Sequence, residues 1–474
     1  MRRAAVLSLM AILVALLLLG VNGLRGDGAA PSEQQQPEET VGPAWELMYE
    51  RPLALLRDME VTLSGGESYK LNTSMAFDET GRMLGVYSRL GQPLTVEGRE
   101  DFALDPTAYQ MMLLAAQGIP ATAHYPALDQ NACGLTDPHA RLRIRYSDGS
   151  EIGLRIGHKT ASGLSCYVAM DGDAETYLVP YDFYDVMTRP LNAQHRLPGA
   201  VSYTVSDAVQ LAIDGTEQGR IIVARQENSG RVLHWQVTSP VIHDAADKAV
   251  ELFVQGLCAV HAERYAATVY DADGLEAYGL RTPVRYVAAF SDGVIRDLHV
   301  GRDAGEGRVY VRMDSSGDVY EISRSQLDCV TDAGLDMMMD RFADLVPLNT
   351  VRSVTVQAQG KTWLLTQDWA DDAAAAAESW TINGQQVTQH DFSGVYAALV
   401  GIQFDKTAAQ AETTEPIMTI IYELRNGQTR QLVIRSHDPF YDTVTTTGGA
   451  SLLVRHTRIE DILQALEGYA YETK

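Results

Sequence analysis

The sequence predicts an α+β protein: three tandem repeats of mostly antiparallel sheet with two helices each, preceded by one N-terminal transmembrane helix. Three observations carry that expectation. The first is a hairpin written three times, LRIRYSDGSEIGLRIG at Leu142–Gly157, RYVAAFSDGVIRDLHVG at Arg285–Gly301 and IIYELRNGQTRQLVIR at Ile420–Arg435. Each alternates apolar and polar residues around Asp-Gly or Asn-Gly, and Gly accepts the positive φ that a tight turn demands. The second is a helical spacing of apolar residues at a constant place ahead of each hairpin. The third is an apolar run at the start of the chain.

That run comes first in order. Met1-Arg2-Arg3 precedes AAVLSLMAILVALLLLGV, Ala4–Val21, which at about 1.5 Å per residue spans about 27 Å, close to the ~30 Å hydrocarbon core. Residues 1–24 are therefore read as a signal anchor in the cell membrane, with cleavage near Val21-Asn22-Gly23 as the open alternative. The basic start stays inside, so the C-terminal region lies outside the cytoplasm. Residues 25–45, including DGAAPSEQQQPEE at Asp27–Glu39, have the composition of a disordered acidic linker.

Repeats are expected at 46–200, 201–350 and 351–474. Each opens with alternation, at Glu60–Leu63, Ser202–Val205 and Ser353–Val356. A second strand leads to a third at Leu94-Thr95-Val96, Trp235-Gln236-Val237 and Trp380-Thr381-Ile382, spaced by 141 and 145 residues (235 − 94 and 380 − 235). Asp105-Pro106 then suits a helix N-cap with Pro at the first position, ahead of Tyr109, Met112, Leu113 and Ala116. The second copy offers Asp244, then Ala249, Leu252, Phe253 and Gly256, and the third Asp391, then Val395, Leu399 and Ile402.

The motif Gly-Leu-x-x-Pro follows at Gly134–Pro138 and Gly279–Pro283, whereas the third copy keeps only Pro416. After the hairpin come a strand (Tyr177–Val179, Val319–Ile322, Ser451–Val454) and a closing helix. Ser323-x-x-Gln326 and Thr457-x-x-Glu460 read as capping boxes, with Pro180 at that place in the first copy. The pattern is β-β-β-α-β-β-β-α, with Asp371–Glu378, DDAAAAAE, as an exposed insertion.

Composition narrows function. Sixty-two acids against 38 bases give a net charge of −24, so a phosphate backbone is repelled by most of the chain and a nucleic-acid role is disfavoured. Cys133, Cys166, Cys258 and Cys329 show no CxxC spacing. Cys133 and Cys166 either pair or fill apolar core slots, and Val309 at the place of Cys166 favours the core. The histidines form no metal-ligand spacing. His243-Asp244-x-x-Asp247 is the nearest to one, and is read as a helix start whose acids complement the macrodipole.

There is no Gly-x-Ser-x-Gly elbow, Ser-x-x-Lys or phosphate-cradling loop, and only six lysines. Asp371-Asp372 and Glu460-Asp461 read as solvated faces. No catalytic, cofactor-binding or metal residue is assigned, and no cofactor is expected. Trp235 and Trp380 could stack on sugars, but Leu94 at the same place argues for a packing slot. Tyr181, Phe183 and Tyr184, interleaved with Asp182 and Asp185, read as inter-domain packing or as a partner surface.

The pattern resembles the bacterial domain-of-unknown-function 4340 family. The resemblance rests on the strands at Trp235 and Trp380, Tyr278–Pro283, the hairpins ending at Gly157 and Gly301, the stretch Tyr177–Arg189 and the N-terminal apolar segment. It implies a single-pass membrane protein facing outward, encoded beside ABC-transporter subunits of the gliding-motility type, and it carries over no catalytic residue. The expected function is therefore a non-catalytic scaffold or accessory subunit of a cell-envelope assembly, its partners being the membrane through residues 4–21 and ABC-transporter subunits or other envelope proteins. The alternatives are an extracellular glycan- or peptide-binding module using inter-repeat grooves and, behind it, a wall-active hydrolase with converging carboxylates.

Overall fold

The computed structural model describes residues 46–469, except residues 127, 227–233, 315, 372–375 and 409–412. The expected anchor and linker, residues 1–45, and half of the Ala-rich insertion lie outside the described residues. Among the described residues no helix is long and apolar enough to cross a membrane.

Alternating strands dominate, so the bulk is antiparallel sheet with helices packed on it, an α+β architecture. The first large sheet runs, edge to edge, Leu94–Val96, Ser68–Thr73, Leu56–Leu63, Ala140–Tyr146, Glu151–Lys159, Ser165–Met170, Thr176–Pro180 and Ala123–Tyr125. The second runs His243–Asp244, Trp235–Ser239, Gly219–Arg225, Ala208–Thr216, Val284–Phe290, Ile295–Gly305, Arg308–Met313, Asp318–Ser323 and Arg264–Thr268. The third runs Gln385–Val387, Ser379–Ile382, Lys361–Asp368, Val351–Ala358, Met418–Leu424, Thr429–Ser436, Tyr441–Thr446, Ser451–Arg455 and Phe404–Thr407.

Strand order is the same in the last two sheets. The first differs only in replacing the leading edge strand by a single bridge, Val96 to Arg99. The six-strand expectation is thus corrected: each sheet gains a strand after the hairpin (Ser165–Met170, Arg308–Met313 and Tyr441–Thr446) and a trailing edge strand of three to five residues, and the last two a leading one of two or three. The edge strands are too short for alternation to reveal. Ser202–Val205 is not a strand either. The Asp207 carboxylate accepts from Thr204 N (2.9 Å) and Thr204 Oγ1 (2.7 Å), turning the chain, and the strand begins at Ala208.

Local details recur. The opening strand of each sheet is bulged against the hairpin at one place, Leu56/Asp58, Ala208/Gln210 and Val351/Ser353. In the hairpin turns Gly149, Gly293 and Gly427 donate N–H to Tyr146, Phe290 and Leu424 O at 3.1, 3.0 and 3.0 Å. The preceding Asp or Asn Oδ1 accepts from Ser150, Val294 and Gln428 N. Only the Gly has positive φ (84°, 87° and 82°), the three-residue loop that ends in a left-handed residue.

The core lies between each sheet and its helices. Pro106–Gln117 buries Met112, Ala115 and Ala116, and Gln389–Val400 buries Phe392, Val395 and Leu399. Asp247–Ala259 buries Val250, Phe253, Val254 and Leu257, while Leu252 is exposed, so its apolar stripe sits one residue from the expected one. Each buried Val, Leu, Phe or Met side chain among these contributes about 1.5–3 kcal/mol.

Capping follows expectation only in part. Asp105 accepts from Thr107 and Ala108 N, with Pro106 at the first position. Asp244 is no cap: Ala246 occupies that place, and Asp244 O accepts from Asp340 N at 2.8 Å. Thr388, three residues before Asp391, caps the third helix. Neither capping box forms. Glu263 takes Ser323 N (3.0 Å) and Gln326 Nε2 (2.7 Å), and the last helix begins at His456, ahead of Thr457.

The connections between sheets are strand-like. Leaving the first sheet, His195 bridges Leu104, and Pro198 O then accepts from Ala262 N at 2.9 Å. Leaving the second, Met339 bridges Ala245, and Arg341 O accepts from Phe404 N at 3.1 Å. The strap Glu46–Leu47 lies on the first sheet in the corresponding place, paired with Pro120–Ala121. Each sheet is therefore clasped beside its trailing edge strand by the segment that precedes it.

Candidate functional site

The Gly-Leu-x-x-Pro motif is a structural lock. Gly134 and Gly279 adopt φ of 72° and 69°, which lets Leu135 and Leu280 turn back onto the sheet. Cys133 O accepts from His158 N (2.8 Å), and Tyr278 O from Arg302 N (2.9 Å). The hairpin strands are bulged there, between Ile156 and Lys159 and between Val300 and Asp303. Gly157 and Gly301 are needed at those points, since a Cβ would lie 2.2 Å from Cys133 O and 2.3 Å from Tyr278 O. The third sheet has Ile434-Arg435 instead, and its strand pairs without a register shift. Loss of the motif and loss of the bulge go together.

A concavity lies where the second and third sheets meet. Two adjoining cavities of about 220 and 390 Å³ share Gln236, Asp244, Leu345 and Arg430. Their walls are the edge of the second sheet (residues 234–244), the linker (340–347), the hairpin tip of the third sheet (424–430) and the turn at 446–448. Ile242 N to Gly448 O (2.9 Å) and His243 Nε2 to Asp340 O (3.0 Å) hold the walls together. Arg430 Nη1 meets Asp344 Oδ1 at 2.6 Å. Burial pushes the Asp344 carboxyl up, against the pull of Arg430. His234 Nε2 stands 3.5 Å from Asp244 Oδ1. The groove thus offers amide, hydroxyl and guanidinium donors around one half-buried ion pair, a lining suited to a polar chain.

His243 and Asp244 lie in this groove, brought there by the edge strand, whereas Asp247 sits in the first helical turn. Among the described residues no group of three or more His, Cys, Asp or Glu is placed to hold a metal ion. Trp235 is 1% exposed and Trp380 is packed partly buried against the core; both occupy the register position of Leu94. Phe183 fills the core of its own sheet, and helix Tyr181–Met187 packs on strands of that sheet, so the inter-domain reading is corrected. Tyr181 and Tyr184 instead carry Lys159 Nζ over their rings at 4.6 and 4.9 Å. Glu460 and Asp461 are exposed; of the other pair, Asp372 lies outside the described residues.

The cysteines are free. Cys133 packs with Leu135 and Ala169, and Cys166 lies in the main core, where burial pushes its thiol up to about 12. Cys329 is exposed, a departure from the core-slot reading.

Sequence reasoning missed the Arg430–Asp344 pair, whose partners lie 86 positions apart. It also missed the network in which Asp297 meets Arg285 (2.8 Å) and His299 (3.2 Å) on the second sheet's outer face. The alternation of Arg285, Asp297 and His299 on paired strands was the available signal.

Residues 235–418 match the model of the family described as Domain of unknown function (DUF4340). That segment belongs to this family. It begins at Trp235, takes in Tyr278–Pro283, Gly301 and Trp380, and ends at the first residue of the third sheet's hairpin. The DUF4340 segment supplies the linker and the second-sheet wall of the groove, while Arg430 lies beyond it. No curated protein and no solved structure matches the chain.

Proposed function

We propose that the protein is a non-catalytic, membrane-anchored extracytoplasmic scaffold, an accessory subunit of a cell-envelope assembly built around an ABC-type transporter. In this reading the chain is three copies of one unit, at 46–200, 201–350 and 351–474, carried by the apolar run Ala4–Val21. The observation that carries it is the recurrence of one strand order, joined twice by the same clasp of linker on trailing edge. Such a series sets binding surfaces in fixed succession, which suits assembly.

The outer faces support different contacts. Asp58, Glu60, Arg143 and Arg145 mesh on the first sheet, Ala212, Val287 and Ala289 lie on the second, and Thr355, Thr366 and Thr419 on the third. Alkaline phosphatase fused after Lys474 tests the placement. Active fusion retained in alkali-washed membranes is expected; an inactive or released fusion overturns it.

A second reading, a peptide- or glycan-binding module, is favoured by the polar groove around Arg430. Arg430→Ala abolishing retention on wall peptide or glycan, with the fold intact, would support that reading.

A further inference from the structure

One connection of the first sheet is about twice as long as its counterparts in the other two. Between the second and third strands the chain runs through twenty residues, 74–93, against nine (226–234) and ten (369–378) at the corresponding places. Here Met75–Phe77 and Met83–Val86 pair as a separate two-stranded hairpin. It is firmly built at its base. Ser74 N donates to Pro93 O (2.9 Å), Tyr87 N to Ser74 O (2.8 Å), and buried Gln92 bonds Phe102 O (2.8 Å) and Leu104 N (3.0 Å). Yet it presents Met83, Leu84, Tyr87 and Leu90 to solvent, with Tyr87 74% exposed.

Chain length and position say what covers it. Twenty-four residues, 22–45, separate the apolar run from the strap at Glu46. In the anchored reading, 24 residues of linker composition have a root-mean-square span of about 30 Å, which keeps the first sheet close to the bilayer that takes up Ala4–Val21. The hairpin turn packs near the helical turn Leu53–Leu55, which joins the strap segment to the opening strand: a Cβ at Gly81 would sit 3.8 Å from the Ala54 Cβ.

Charge agrees. The chain carries −24, but residues 74–93 hold Arg82 and Arg89 against Asp78 and Glu79. Asp78 is already occupied by Thr80 N and Arg82 N (2.9 Å each). A locally neutral loop with Met, Leu, Tyr and two arginines suits the headgroup–acyl boundary, where Tyr is at home and Arg reaches back to the phosphates. We infer that hairpin 74–93 seats in the surface of the bilayer that anchors the chain, fixing the orientation of the first sheet against it. This rests on the anchored reading above.

The test uses the full chain with Cys329→Ser, since the other three cysteines are buried. Leu84→Cys or, as control, Leu164→Cys (Leu164 is 76% exposed on the same sheet) carries an environment-sensitive label. The protein is reconstituted in phosphatidylcholine–phosphatidylethanolamine vesicles containing a lipid-borne quencher. Quenching at position 84 is expected to exceed that at 164 by about fivefold for a probe at boundary depth, and to fall to the control level with Met83→Ser and Tyr87→Ser. Protein that resists alkali extraction but shows equal quenching at both positions overturns this inference alone. Protein released by alkali overturns the anchored reading and this one with it.

Discussion

Gly301→Ala is the sharpest single perturbation of the fold. The new Cβ would lie 2.3 Å from Tyr278 O and 2.9 Å from Leu280 Cγ. The first contact is with backbone, so the 278–283 loop must withdraw. Withdrawal breaks the 2.9 Å bond from Arg302 N to Tyr278 O, about 1 kcal/mol, and loosens Leu280, now 3% exposed, at about 1–3 kcal/mol for overpacking. A local loss of about 2–4 kcal/mol follows. Gly394→Ala is the control. Gly394 is exposed within helix Gln389–Val400 with nothing within 4 Å of a Cβ, so Ala there stabilises by about 0.5–1 kcal/mol. Hydrogen exchange at the Arg302 amide reads the local opening directly, which matters in a chain this long, where unfolding need not be two-state. An Arg302 opening energy within about 0.5 kcal/mol of the parent would refute the lock.

Acid should probe the Asp297 network. Burial raises its carboxyl, but bonds from His299 and Arg285 outweigh that and bring it down to about 2. A depressed carboxylate stabilises above its unfolded pKa, near 4, and loses that stability as pH falls through about 2; urea unfolding followed between pH 5 and 2 should show this slope, and Asp297→Asn should flatten it. Arg430→Met leaves the Asp344 carboxylate buried without its partner, and should cost about 2–4 kcal/mol, most of it recovered by adding Asp344→Asn; unfolding followed by tryptophan fluorescence checks it, and equal losses in single and double variants would count against the pairing. One fast thiol, Cys329, should react with an aromatic disulfide in the native protein and four after unfolding, because the other three are buried; fewer than four in the unfolded, unreduced protein, restored to four by a reductant, would contradict the free-thiol assignment.

The hairpins were legible because their alternation and their Asx-Gly turns are local, and so was the helix start at Asp105-Pro106. Short edge strands such as His243–Asp244 were not, since two residues carry no period and their pairing is decided by the neighbouring strand. Ser323 and Thr457 matched a capping signature that tertiary contacts overrode: Glu263 reaches the first, and the second helix simply begins earlier. Trp235 was weighed correctly against Leu94 because the shared register position could be aligned. An inter-repeat groove was foreseen but its lining was not, because Asp344 of the linker and Arg430 of the third sheet lie 86 positions apart and meet only in the fold. Hairpin 74–93 left a different trace, an overlong connection containing Met83, Leu84 and Tyr87, which has no place in the repeated pattern.

The scaffold account meets its most direct test in photo-crosslinking from native membranes, with a photoreactive residue placed in turn at Arg143, Ala289 and Thr355, one on each sheet's outer face. The account expects discrete protein adducts that include ABC-transporter subunits and that vanish when residues 1–45 are removed. Adducts confined to wall glycan or peptide, unchanged by that removal, would contradict it and point to the groove as a ligand site.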